Sequence, residues 1–120
     1  MATQVDLKGK KIQTEYQIAA STSASTAQLL AFPVTNQDVQ DGQREVILAA
    51  SGATVTFLFG NSSSIAASTT ASSNLMPAGN FTLLSGAIYS VRLLATDNYV
   101  SVKTATGTGT AIIQLTTPIV

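Results

Sequence analysis

Cysteine, histidine and tryptophan are absent from this 120-residue chain, and charge is scarce. Without cysteine there is no disulfide framework and no thiolate nucleophile, and the redox compartment stays open. Without histidine the commonest general base and the commonest transition-metal ligand are missing. With both gone, a structural zinc site is excluded. Charged residues make up 10% of the chain and sum to zero, against about 25% in ordinary soluble domains. Neither long-range attraction to nucleic acid nor colloidal repulsion is then available. Aromatics, at 6%, are too few for a base-stacking platform, so no nucleic-acid partner is expected. No apolar run reaches the ~18 residues of a membrane span. No apolar core follows the lysines of "MATQVDLKGKK", as a secretory signal requires. Synthesis in the cytoplasm and no membrane partner are the expectation.

Serine and threonine, about one residue in four, fill the place of charge. From Val46 to Val91 there is no charged residue at all. A neutral, weakly charged surface tends to associate, so a chain of this kind reads as one whose surface is covered in an assembly. The length suits one domain with one core.

Period-2 alternation recurs along the chain. It is present at Ile12, Thr14, Tyr16 and Ile18, at Val55, Phe57 and Phe59, and at Tyr89, Val91 and Leu93 against Ile88, Ser90 and Arg92. Turn signals separate these runs at Asp41-Gly42, Ser51-Gly52, Met76-Pro77-Ala78-Gly79, Ser85-Gly86 and Asp97-Asn98. "STSASTAQ" reads as a flexible bridge, and Pro33 argues against a central strand around it. No segment sustains helical periodicity between caps. The expected fold is all-β: a single antiparallel β-sandwich or barrel-like domain, jelly-roll or immunoglobulin-like. Residues 1–31 are expected to form an N-terminal arm, or a first strand with its Ser/Thr-rich bridge, and residues 32–120 the sandwich.

Chemistry-bearing motifs are weak. No serine or threonine has an evident activating base, and a Ser–Lys pair would need one of Lys8, Lys10, Lys11 or Lys103, which sit at positions that look solvated. Asp38, Asp41 and Asn36 suit local turn capping better than a calcium loop, and their spacing is not that of an EF-hand. "ATGTGT" (Ala105–Thr110) lacks the following helix of a phosphate loop and reads as a hairpin turn. Asn61-Ser62-Ser63 and Asn80-Phe81-Thr82 match the glycosylation sequon by chance, given no secretory signal. No enzyme activity, cofactor or metal is expected. The cluster Lys8, Lys10 and Lys11 is either a solvated tail or an arm that docks on an acidic surface.

The C-terminal half, through Phe59-Gly60, Ser62 to Ser73, Leu75-Met76-Pro77-Ala78-Gly79, Val100 to Val102 and Gly107 to Ile112, resembles small virion proteins of tailed bacteriophages. The resemblance implies a non-enzymatic cement or decoration protein on the capsid exterior. Its partners would be the major capsid protein and copies of itself, with a trimer favoured. In that setting the uncharged stretch from Gly60 to Asn80 is read as an ordered crossover and a contact surface, with Ser64, Ala67 and Thr70 as contact positions. Charge placed there is expected to weaken assembly and leave the fold intact. A receptor- or glycan-binding module of a tail fibre or adhesin is the alternative, with Tyr16, Tyr89 or Tyr99 as its aromatic platform.

Overall fold

In the strand Val55–Gly60, the side chains of Val55, Phe57 and Phe59 all face inward and are buried, as their period-2 spacing requires. The same rule orients the other described strands. A computed structural model describes residues 10–31, 43–67, 80–94 and 96–118, and within them the regular elements are all strands. They are β1 (Lys10–Ala20), β2 (Gln28–Leu29), β3 (Gln43–Ser51), β4 (Val55–Gly60), β5 (Phe81–Leu83), β6 (Ile88–Leu94), β7 (Tyr99–Thr104) and β8 (Gly109–Pro118). They form two four-stranded antiparallel sheets, sheet A in the order β1-β8-β3-β6 and sheet B in the order β2-β7-β4-β5. The chain changes sheet at every connection except β4–β5. This interleaved order is a jelly roll, an all-β sandwich, and differs from the seven-stranded immunoglobulin arrangement.

Between the sheets lie Leu48, Leu93, Ile113 and Leu115 from sheet A and Val55, Phe57, Val100 and Val102 from sheet B, each fully shielded from solvent. The Phe57 and Phe59 rings lie parallel, 6.4 Å between centroids. Truncating any of the larger side chains to alanine removes on the order of 2–5 kcal/mol. An aromatic closes each side of the sandwich. Beside β1, the Tyr16 hydroxyl accepts a hydrogen bond from Ala31 N–H at 3.0 Å, tying sheet A to the chain just past β2. On the opposite side Phe81 of β5 meets Tyr89 of β6, centroids 5.3 Å apart and tilted, a favourable aromatic geometry.

Strand β1 forms where Ile12, Thr14, Tyr16 and Ile18 alternate, in the segment read as arm or first strand, and it is laddered to β8 from Lys10↔Pro118 to Ala20↔Gly109. Two details depart from the sequence reading. The serine-rich bridge is no flexible linker but is fastened along β7. Ser25 N–H donates to Val102 O, Val102 N–H donates to Ser25 Oγ, and Thr104 N–H donates to Ser21 O. The Ser25 hydroxyl here replaces a carbonyl in the ladder, as a short polar side chain can.

The "ATGTGT" turn is also not a hairpin. β7 and β8 lie in different sheets, because β4 and the bridge occupy the edges of β7 while β1 and β3 occupy those of β8. Its glycines serve a different end. A Cβ on Gly109 would stand 2.6 Å from Ser51 O and 2.9 Å from Ala53 N, both backbone atoms. Two sheet-changing turns thus pack main chain on main chain at one end of the sandwich. Gly109→Ala is expected to cost more than about 2 kcal/mol, because backbone cannot yield as a side-chain end can. Gly86→Ala sits at φ +87 with open space around it and should cost about 1 kcal/mol, for the left-handed backbone alone. Urea melts of the two variants measure the difference.

Candidate interaction surface

The contact positions expected from sequence do not come together as one patch. Lys8 and Thr70 lie outside the described residues. Lys10 and Lys11 begin β1, their backbones paired with Pro118 and Thr117, so they belong to the sheet rather than to a free arm. Ser64 is exposed in a turn, its N–H donating to Ser62 Oγ at 3.1 Å. Ala67, three residues on, is buried at 4% exposure.

The burial of Ala67 has a specific cause. Val100, Val102 and Thr104 of β7 point into the core, so Ser101 points to the outer face of sheet B, yet it is fully buried. Its Oγ donates to Ser25 O and accepts from Ala67 N–H, each at 2.9 Å. One hydroxyl joins the bridge after β1 to the start of the long β4–β5 connection, and the two segments cover it. Ile65 packs down on Gly60, where a Cβ would meet its Cγ2 at 2.9 Å. A charge at Ala67 would therefore be buried beside Ser101, and it would disturb the fold before it disturbed any assembly.

The outer face of sheet A is different. Its outward side chains fall in cross-strand rows set by the registers. One row reads Gln17, Ile112, Ala49, Ile88; its neighbour reads Glu15, Gln114, Ile47, Ser90. Glu45 and Arg92 stand opposite one another beyond them, while Ala19, Thr110 and Ser51 lie on the other side. Charge is thus confined to one end of the face, and the other end is apolar or hydroxylic. Ile88 is 71% exposed and Leu84, in the β5–β6 turn, 68%. With Tyr89 they concentrate exposed apolar surface at the β6 side. Antiparallel sheets usually solvate their outer face with polar residues, and contiguous apolar surface there marks a contact site.

Ile88 and Leu84 were within reach of sequence reasoning. Ile88 shares its parity with Ser90 and Arg92, and Leu84 shares its parity with Thr82, so each puts a large apolar group on a polar face. Among the described residues no cluster of His, Cys, Asp or Glu could hold a metal, and Asn36, Asp38 and Asp41 lie outside them. At the charged end the Glu15 carboxylate accepts amide N–H bonds from Gln114 at 2.8 Å and from Gln17 at 2.6 Å. The bond from Gln114, then that from Gln17, holds its pKa below the ordinary value of 4.5.

No protein-family model matches the chain, and no curated protein does. Among solved structures it is similar to one described as "Bacillus endospore appendages form a novel family of disulfide-linked pili". The two share 13% identity over 100% of this chain and 99% of that one, with a TM-score of 0.36, a likeness too weak to carry an argument.

Two measurements check this description. Ser101→Ala should cost about 1–3 kcal/mol in urea unfolding, since it strands the buried Ala67 N–H and the part-buried Ser25 C=O together, whereas exposed Ser64→Ala should stay within about 0.5 kcal/mol. Because the folded chain holds the Glu15 proton less tightly than the unfolded chain, the stabilisation from Glu15 is complete above pH 4.5 and fades as pH falls through the lowered folded value. Gln114→Leu should move the Glu15 titration back up towards 4.5, read by NMR.

Proposed function

We propose that the protein is a non-enzymatic structural subunit that works by burying the neutral part of the outer face of sheet A in an assembly with copies of itself. The assembly implied by the resemblance of its C-terminal half is the exterior of a phage capsid, with the major capsid protein as the second partner. The row Ile112, Ala49, Ile88, which ends in the exposed Ile88, supports this reading. Burying apolar surface is favourable at roughly 25 cal/mol per Å², and a stable interface takes about 800 Å² from each partner. Charge held to one margin, at Glu15, Glu45 and Arg92, spares that surface the cost of desolvating ions and provides a polar rim. A subunit that binds only the assembled shell stabilises the shell by mass action.

The jelly-roll order is shared by capsid and lectin domains, so it does not separate this reading from glycan binding. The tyrosines do more. The Tyr16 hydroxyl is engaged by Ala31, Tyr99 is half-buried, and Tyr89 alone is exposed, against Phe81. A glycan platform would therefore have to centre on Tyr89, and glycan-array hits lost in Tyr89→Ala would favour that second reading.

Sedimentation velocity across a broad concentration range, with co-sedimentation on assembled capsids, tests the proposal. The native chain is expected to be oligomeric and to bind shells. Ile112→Glu should weaken association by at least about tenfold, ~1.4 kcal/mol, with its thermal melting little changed. A chain that stays monomeric and ignores shells would overturn the reading.

A further inference from the structure

A two-sheet sandwich has outer edges that present unpaired backbone groups, and each must be blunted or paired. Three of the four edge strands here are blunted. β2 and β5 are 2 and 3 residues long, too short to template a partner. β1 is long, but a register shift between Ile12 and Thr14 breaks it, an edge-guarding device. β6 is neither short nor broken, and Arg92 is its one charged residue. It runs for 7 residues, Ile88–Leu94, without proline or lysine, and its pairing with β3 is unbroken from Leu94 to Ile88. It ends sheet A, and no described strand lies beyond it.

Strand β6 also carries exposed apolar groups. Of the four exposed large hydrophobic residues among the described ones, Ile88 and Tyr89 lie on β6 and Leu84 on the turn that feeds it. Backbone direction agrees. Ala50 N–H donates to Ala87 O, and hydrogen-bonded positions alternate along an antiparallel pair. Tyr89 and Val91 therefore direct their backbone groups to β3, and Ile88 and Ser90 direct theirs to the open side.

We propose that β6 is the edge along which two copies of this chain pair, antiparallel about a two-fold axis, joining two four-stranded sheets A into one continuous sheet. This rests on the self-association proposed above and gives it a geometry. A second copy is the occupant that fits the charges. The sole charged residue of β6 is Arg92, near one end. Two-fold antiparallel pairing sends the two Arg92 side chains to opposite ends, each staying opposite Glu45 of its own subunit. With the two-fold axis at Ile88 or Tyr89 the two Arg92 side chains stand apart, and the uncharged Ile88–Ser90 portions lie in the joined sheet. The apolar row of the outer face then continues across the axis into the second subunit. Such a contact is isologous and closed, so it yields a dimer or multiples of a dimer, in place of the trimer favoured by the resemblance.

The test compares the full chain with Ile88→Lys, Ser90→Pro and Leu29→Lys by sedimentation velocity, with thermal melting as the fold control. Ile88 is exposed, and the Ser90 N–H points away from β3, so neither variant breaks the ladder within the sandwich. Both are expected to melt close to native, Ser90→Pro losing within the subunit the hydrogen bond that Ser90 Oγ donates to Glu45 Oε2, and to self-associate about tenfold more weakly or worse. Leu29→Lys, an exposed leucine on the far side, should associate normally. Amide exchange over residues 88–94 should slow with concentration in the native chain alone. A native oligomer with an odd number of subunits, or one unaffected by both β6 variants, overturns the two-fold edge while leaving self-association standing. Dissociation on deleting residues 2–9, with both β6 variants still associated, overturns it in favour of the N-terminal segment. A monomeric native chain overturns this inference and the proposed function together.

Discussion

The close approach of Gly109 to the backbone at Ser51 and Ala53 is the constraint on which the arrangement of sheet A depends. β8 is paired on both sides, to β1 along its whole length and to β3 from Thr110 to Leu115. It begins at Gly109, where any side chain would strike two backbone atoms of the β3–β4 turn. The point at which β8 enters the sheet is thereby set, and with it two registers. A one-residue slip would exchange Ala111, Ile113 and Leu115 for Ile112 and Gln114 in the core. Gly52, at φ +86, completes the same contact from the other turn.

The hydroxyl-rich composition follows from how the second sheet is covered. Ser101 and Thr104 are fully buried and Thr56 and Thr116 nearly so. Ser101 joins two covering segments, Thr104 Oγ1 donates to Gly107 O at 2.6 Å, and Thr116 Oγ1 donates to Glu45 O at 2.7 Å. Thr56 and Thr82 share a hydrogen bond across the β4–β5 pair at 3.0 Å. Small hydroxylated side chains let segments without regular structure lie flat on a sheet and still satisfy their backbone groups. Charged side chains could not be buried there at comparable cost. Part of the charge-free stretch is uncharged because it is inside.

The strands were legible in the sequence because period 2 is a local signal, and Val55, Phe57 and Phe59 carry it plainly. Turn positions at Ser51-Gly52, Ser85-Gly86 and Gly107 were legible for the same reason, and all three glycines take positive φ. What those turns connect was not. A glycine at positive φ reverses the chain equally well into the same sheet or the opposite one, so "ATGTGT" reads as a hairpin although β7 and β8 belong to different sheets. Ser25 and Ala67 were misjudged because their partner, Ser101, is distant in sequence, and nothing local distinguishes a serine that completes a ladder from one in a linker. The apolar outer face had a local trace, in Ile88 sharing the parity of Ser90 and Arg92. Ile112 and Ala49 join it only through registers that no single strand reveals.

Low charge makes edge control a geometric problem, and the structure solves it strand by strand. A chain rich in lysine and glutamate can leave long edges exposed, since repulsion keeps them apart. Here β2 and β5 are shortened to a few residues, and β1 is broken by a register shift at Ile12/Thr14. These devices cost pairing within the sheet, so their absence from β6 has to be consistent with a use for that edge. Glu45 opposite Arg92 keeps both signs of charge on the same subunit and at one margin. The uncharged remainder of the edge and of the adjoining face is then available to a surface of the same character, and a second copy of the chain presents one.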